Sequence, residues 1–121
     1  MNGYVDHAGR ALVRIGIKPS ETATAVDIDA WVDTGFTGEL VLPQERIAAL
    51  RLTRSAVVKA ELGDGSETLL DTYTCWIEWL GEVKQIEVLA ASIGKIPLVG
   101  VGLLRDCTLT IDYASRVVTI V

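Results

Sequence analysis

Apolar residues recur at every second position along most of this chain. In ALVRIGI (11–17), Val13, Ile15 and Ile17 share one face. In TAVDIDAWV (24–32), Val26, Ile28, Ala30 and Val32 do the same, with Asp27 and Asp29 on the other face. A period of two marks a half-buried strand, because successive side chains of an extended backbone point to opposite sides. ELVLP (39–43) reads as a short strand. AVVKAELGDGSETLLDTYTCWIEWL (56–80) reads as two long strands around Asp64-Gly65, a dipeptide suited to the positive φ of a type I′ turn. GEVKQIEVLA (81–90) gives another strand after a Gly81-Glu82 turn, and TLTIDYASRVVTIV (108–121) a closing hairpin that turns near Ala114-Ser115. One stretch breaks the pattern. PQERIAALRL (43–52) predicts a helix, with Pro43 in its first turn and Ile47, Ala48 and Leu50 on one side. The chain is therefore mainly β, with one or two short helices.

The 121 residues suffice for one domain with a real core and are too few for two, so residues 1–121 are read as a single domain. With 50% hydrophobic and 22% charged residues the chain is globular. Net charge is −5 and the 11 basic residues are scattered, which argues against a nucleic-acid partner. No apolar run is long enough to cross a bilayer, and MNGYVDHAGR lacks the layout of a signal peptide. The expectation is a cytoplasmic protein without a membrane partner. Cys75 and Cys107 are expected as free thiols. His7 is the only histidine, so metal sites and Ser-His or Cys-His chemistry have little to work with; no metal and no cofactor is expected.

Residues 31–38, WVDTGFTG, run an apolar strand into an acid. Asp resists burial unless something pairs with it, so Asp33 is either a solvated turn residue or a carboxylate held on purpose. A single carboxylate is a poor catalyst of amide hydrolysis. Two carboxylates about 3 Å apart share one proton, and the pair can activate a water on one side and protonate a carbonyl on the other. Elsewhere, Gly100-Val101-Gly102 invites a dinucleotide reading, but Arg105 stands where the third glycine would be and no βαβ unit surrounds it. Gly63-Asp64-Gly65-Ser66 lacks the Lys-Ser/Thr step of a phosphate loop; a hairpin turn explains it. Asp27 and Asp29 read as solvated strand residues, with the lining of a substrate groove as the alternative, Asp71 and Asp112 as surface or turn groups, and Trp76 and Trp79, on opposite faces of a strand, as packing.

Trp31-Val32-Asp33-Thr34-Gly35, then a central hairpin, then Leu98-Val99-Gly100 before a short helix, resembles the retropepsin-like aspartic protease family. The resemblance runs from about Ala11 to Val121, and DTGFTGEL followed by Pro43 resembles the bacterial single-domain members. It implies a small closed β-barrel. It implies Asp33 as the catalytic carboxylate of an aspartic endopeptidase, and Thr34, Gly35 and Thr37 as support for its loop. Thr34 would bond across a two-fold axis. It implies a flap over about residues 60–70 with its tip at Gly63, Asp64, Gly65 and Ser66, closing on a peptide or protein substrate. Leu98, Val99 and Gly100 would pass through the first loop, the glycine permitting the crossing. The chain holds one such Asp-Thr-Gly, so the resemblance implies a homodimer, and the β-branched run Val117–Val121 is its expected edge. Two departures stand out. Phe36 stands where many relatives carry Ala or Ser; a Ser there can bond the Asp and Phe36 cannot, so either Thr37 takes that role or the paired acids titrate higher, and Arg105 is the nearest substitute for an arginine that orders the dimer in viral relatives. The alternative from another class is a non-catalytic β-barrel of the same fold that binds peptides or dimerises.

Overall fold

A computed structural model describes residues 1–61 and 63–121. Its centre is β2 (Ala11–Lys18), which pairs antiparallel with β3 (Val26–Val32) and sets Val13 beside Ala30 and Ile15 beside Ile28. The alternation read from the sequence is what makes this hairpin: Val13, Ile15, Ile17, Ile28, Ala30 and Val32 are buried and Arg14 is exposed. Val26, at the open end of β3, is exposed instead of sharing that core. β4 (Leu40–Pro43) leads into α1 (Gln44–Leu50). Pro43 does not start the helix. It is the last strand residue, with ψ 153°, because it pairs with Ala91 in the parallel ladder between β4 and β7 (Glu82–Ala91). Ile47 and Leu50 are buried; Ala48 faces outward, one residue, or about 100°, around the helix from Ile47.

β5 (Thr53–Glu61) and β6 (Glu67–Trp79) form the long central hairpin. Its turn is not the type I′ that Asp64-Gly65 suggested. Of the described turn residues only Gly65 has positive φ, at 85°. The Asp64 carboxylate instead accepts hydrogen bonds from the Ser66 N–H, at 2.9 Å, and from the Ser66 hydroxyl, an Asx turn that holds Asp64 in ordinary backbone space. Leu62, within the expected flap, lies outside the described residues. The positive-φ pair occurs in the next hairpin, at Leu80 (50°) and Gly81 (84°), a two-residue loop that joins β6 to β7.

β8 (Leu98–Val99) is inserted between β3, parallel, and β4, antiparallel. Since β6 also pairs with β2, the strands β6, β7, β4, β8, β3 and β2 close into a ring, within a sheet of ten strands. The expected closed barrel is this ring. Val13, Ile15, Ile17, Leu40, Ile77, Val88 and Val99 are wholly buried within it. Each such side chain stabilises the fold by about 1.5–3 kcal/mol.

After α2 (Val101–Leu104) come β9 (Leu109–Asp112) and β10 (Val117–Ile120), with the turn at 113–116 as expected. The sequence reading missed β1 (Asn2–Val5), which pairs with β2 on one side and β10 on the other. This overturns the expectation that Val117–Val121 forms a bare edge: β10 lies between β1 and β9. Four residues without apolar alternation gave no signal for β1. Neighbours on both sides hold it, and Gly3 lets it come close, since a Cβ there would strike the Leu12 carbonyl.

Candidate active site

Asp33 is the first residue beyond β3. Its N–H donates to the Val99 carbonyl at 2.8 Å, which continues the β3–β8 ladder one residue past the strand. The carboxylate then folds back, and Oδ1 accepts the Gly35 N–H at 2.9 Å. The Phe36 N–H donates to the Asp33 carbonyl at 3.1 Å and closes a tight turn. Asp33 is half-buried, and Thr34 and Gly35 are exposed. Among the described residues nothing but Gly35 bonds the Asp33 carboxylate, so one oxygen is fixed and the other is open.

The second motif threads this loop. The Trp31 N–H reaches the Pro97 carbonyl at 2.8 Å, and the Gly100 N–H reaches the Glu39 carbonyl at 3.0 Å. The Val101 N–H bonds the Phe36 carbonyl at 2.8 Å, and the Gly102 N–H bonds that of Gly38 at 2.9 Å. Residues 97–102 thus pass between the two arms of the 33–39 loop and are bonded to both. Only glycine fits at the crossing. A Cβ on Gly100 would strike the Gly38 carbonyl oxygen and the Phe36 ring and come within 2.7 Å of the Phe36 carbonyl oxygen; one on Gly102 would come within 2.7 Å of the Gly38 carbonyl oxygen.

The structure brings Asp33, Thr34, Gly35, Leu98, Val99 and Gly100 to one loop crossing. It does not bring Thr37 to the acid. Thr37 is exposed and makes no hydrogen bond to Asp33, because the turn from Asp33 to Phe36 points the chain away before residue 37. Phe36 takes a different part: its ring packs over Gly38 and Gly100 and seals the crossing. Thr34, at the exposed loop tip, bonds nothing among the described residues. Arg105 is exposed and joins none of the ion pairs of the described residues.

A cavity of about 270 Å³ touches Trp31, Val32, Asp33 and Thr34. Beside it runs an apolar groove of about 740 Å³, floored by Phe36, Val41, Leu89 and Leu98 and walled by Ala60 and Leu70 of the β5–β6 arm. Trp31 borders both. The tip residues Gly63, Asp64, Gly65 and Ser66 line neither cavity. The outer half of the arm is a two-stranded ribbon, since β7 pairs with β6 only from Thr72 onward. Val57, Val58 and Leu69 on it are exposed. Three contributors escaped the sequence reading. Arg10 sets its guanidinium 5.8 Å from the centre of the Trp31 ring while pairing with Asp6 at 2.7 Å, which steadies a ring that is 39% exposed. Leu89 of β7 and Ile96 of the loop before β8 border the groove through the packing of remote segments, which no local pattern reports. Asp29 is engaged by Arg14 and the Tyr4 hydroxyl on the outer face of β3, and Asp112 caps the 113–116 turn, so both are structural groups.

Solved structures share this architecture. A retropepsin-like aspartic protease from Rickettsia conorii aligns over 100% of this chain and 88% of its own, with a TM-score of 0.65 and 18% identity. The fold is retropepsin-like. EIAV protease complexed with the inhibitor HBY-793 aligns over 84% of this chain and 90% of its own, with a TM-score of 0.58 and 19% identity. No protein-family model and no curated protein matches the sequence. At such identities the likeness establishes the retropepsin-like fold of the chain. No helix among the described residues is long and apolar enough to cross a membrane.

Proposed function

We propose that this protein is an aspartic endopeptidase in which Asp33 of one copy meets Asp33 of a second. The observation that carries the reading is the half-buried Asp33 carboxylate, with Oδ1 bound by the Gly35 N–H and the other oxygen open, on a loop pinned by six residues of threaded chain. A carboxylate must be placed this firmly for a pair of them to share one proton. The ionised member takes a proton from a water held between them while the oxygen of that water attacks the peptide carbonyl carbon. The protonated member gives its proton to the carbonyl oxygen. Collapse of the tetrahedral adduct breaks the C–N bond: one hydroxyl of the adduct returns its proton to the ionised member while the departing amine takes a proton from the protonated one, so the dyad again shares one proton, and no metal or covalent intermediate is needed.

The proteases of known structure that share the fold support this reading, as does the apolar groove beside Asp33, which suits the side chains of an extended peptide. The β5–β6 arm would serve as the flap, since an isolated two-stranded ribbon with exposed Val57, Val58 and Leu69 gains most by closing over something. Thr34 would lock the two loops across the axis. The two free thiols, Cys75 and Cys107, are consistent with a cytoplasmic setting.

The deciding experiment is Asp33→Asn in a peptide-cleavage assay from acidic to neutral pH. The wild-type protein is expected to cleave with a bell-shaped pH profile, and the variant to lose cleavage while keeping its fold and association state. Undiminished cleavage by Asp33→Asn, or no cleavage by an assembled wild-type protein at any pH, would leave the non-catalytic binding module as the better account.

A further inference from the structure

We infer that Glu45 of α1 is a positioning residue for the apolar groove, its carboxylate holding the loop between β7 and β8 in place as one wall. The inference rests on the reading of that groove as the place where a peptide lies. It concerns how tightly the peptide is held, not the chemistry at Asp33.

Residues 92–96 join β7 to β8, and Ser92, Gly94, Lys95 and Ile96 border the groove. Little within the loop keeps it there. Ser92, Ile93, Gly94 and Lys95 are exposed, Ile93 by 79%. The Lys95 N–H reaches the Ser92 carbonyl at 3.3 Å, long for such a bond. Gly94 carries this turn at φ 82°, a region that side chains resist. The two ends of the loop are fixed. Ala91 is paired with Pro43 in the β4–β7 ladder, and the Pro97 carbonyl accepts the Trp31 N–H at 2.8 Å. Between those ends, among the described residues, one hydrogen bond ties the loop to the body of the protein. The Gly94 N–H donates to Glu45 Oε1 at 2.9 Å.

The base of this tether is firm. Ile47 and Leu50 of α1 are buried, and α1 follows β4 directly. β4 lies between β7 and β8, the two strands that the loop joins. It also begins at Leu40, where the Asp33 loop ends. The wall and the acid are therefore set in one frame. A carboxylate that accepts an N–H makes a charge-assisted bond, stronger than one between two neutral groups. Glu45 also stands in the first turn of α1, where its charge suits the helix dipole. The two roles can be separated. Glu45→Gln keeps an acceptor at the same reach and loses the charge. Glu45→Asp keeps the charge and falls one methylene short. Glu45 is exposed, so neither change opens the core.

The test combines three measurements on the wild type, Glu45→Gln, Glu45→Asp and Glu45→Ala. The first is hydrogen exchange at the Gly94 amide. The second is KM and kcat for an apolar hexapeptide. The third is the Kd of the tightest member of a reduced-amide hexapeptide library, which needs no cleavage. Glu45→Asp and Glu45→Ala are expected to speed Gly94 exchange about tenfold and to raise KM and Kd about fivefold, with kcat within about twofold of wild type. Glu45→Gln is expected to restore exchange, KM and Kd to within about twofold. A structural role alone would lower Tm and leave KM and Kd of the folded protein where they were, which overturns the inference. Unchanged Gly94 exchange in Glu45→Ala overturns it too. So does an impaired Glu45→Gln beside an unimpaired Glu45→Asp, the pattern of the helix dipole. A wild-type protein that binds the reduced-amide peptide and cleaves nothing counts against the protease reading, and Kd then decides this one. A wild-type protein that binds no member of the library overturns this inference, since the groove would hold no peptide.

Discussion

Replacing Gly100 by Ala separates two reasons for a glycine. Gly100 has φ −100° and ψ 175°, extended backbone open to any residue. Conformation alone would make Gly100→Ala neutral or favourable by about 0.4–1 kcal/mol, through the loss of freedom in the unfolded chain. Packing gives the opposite sign. The new methyl would strike the Gly38 carbonyl oxygen and approach the Phe36 carbonyl oxygen at 2.7 Å. Both are backbone atoms, and both accept bonds from the crossing segment, from Gly102 and Val101. The loop can retreat only by releasing them. Two backbone hydrogen bonds at about 1 kcal/mol each, with about 1–3 kcal/mol for overpacking a closed site, give a loss of about 3–5 kcal/mol. For a chain of this size that lowers Tm by roughly 10–20 °C. Denaturant titration followed by tryptophan fluorescence measures it, with Gly63→Ala as the control, where an added Cβ meets nothing within 4 Å. The control is expected to stay within about 0.5 kcal/mol of wild type. Equal effects at the two positions, or a stabilised Gly100→Ala, would refute the claim that the crossing is sterically closed.

Burial pushes the Cys75 thiol up to about 12, so its neutral form is favoured in the fold. Its contribution is complete below the ordinary thiol value of 9.0 and is lost as pH rises from there toward 12; a Cys75→Val variant should show a flatter stability curve over that window in alkaline denaturation. A thiol reagent at neutral pH should modify the half-buried Cys107 quickly and Cys75 only on unfolding. At the arm's tip, the Ser66 hydroxyl and N–H hold the Asp64 carboxyl below its ordinary range. That ordering is present at neutral pH and lost as pH falls through the lowered value, so Asp64→Ala, or acid, should speed hydrogen exchange at the Ser66 amide.

The strands of the ring were legible because they are strands with one wet face. Val13, Ile15 and Ile17 alternate against Arg14, and Ile28 and Ala30 against Asp29, so each segment declares its core side. β1 was not legible, since its place depends on β2 and β10, which lie far along the chain. The same limit hid the type of the Asp64 turn, set by a side chain two residues away, and the placement of Pro43, whose fixed φ fits a helix start and a strand end equally well. For the site, the sequence marked the acid and the crossing glycine. It misassigned Thr37, because hydroxyl chemistry says what a residue can do and a tight turn decides where it points.

Phe36 connects these points. A ring at this position fills volume that a smaller residue would leave to a neighbour, and here the neighbours are Gly38 and Gly100, whose missing Cβ atoms would otherwise occupy that space. Gly38 of TGFTG and Gly100 of LVGVG therefore meet through the ring of a residue that belongs to the Asp33 loop itself. The ring also floors the apolar groove. One side chain thus ties the loop that carries Asp33 to the surface where a substrate would lie. Shrinking it should loosen both together, whereas a hydroxyl bonded to the acid would have affected the acid alone.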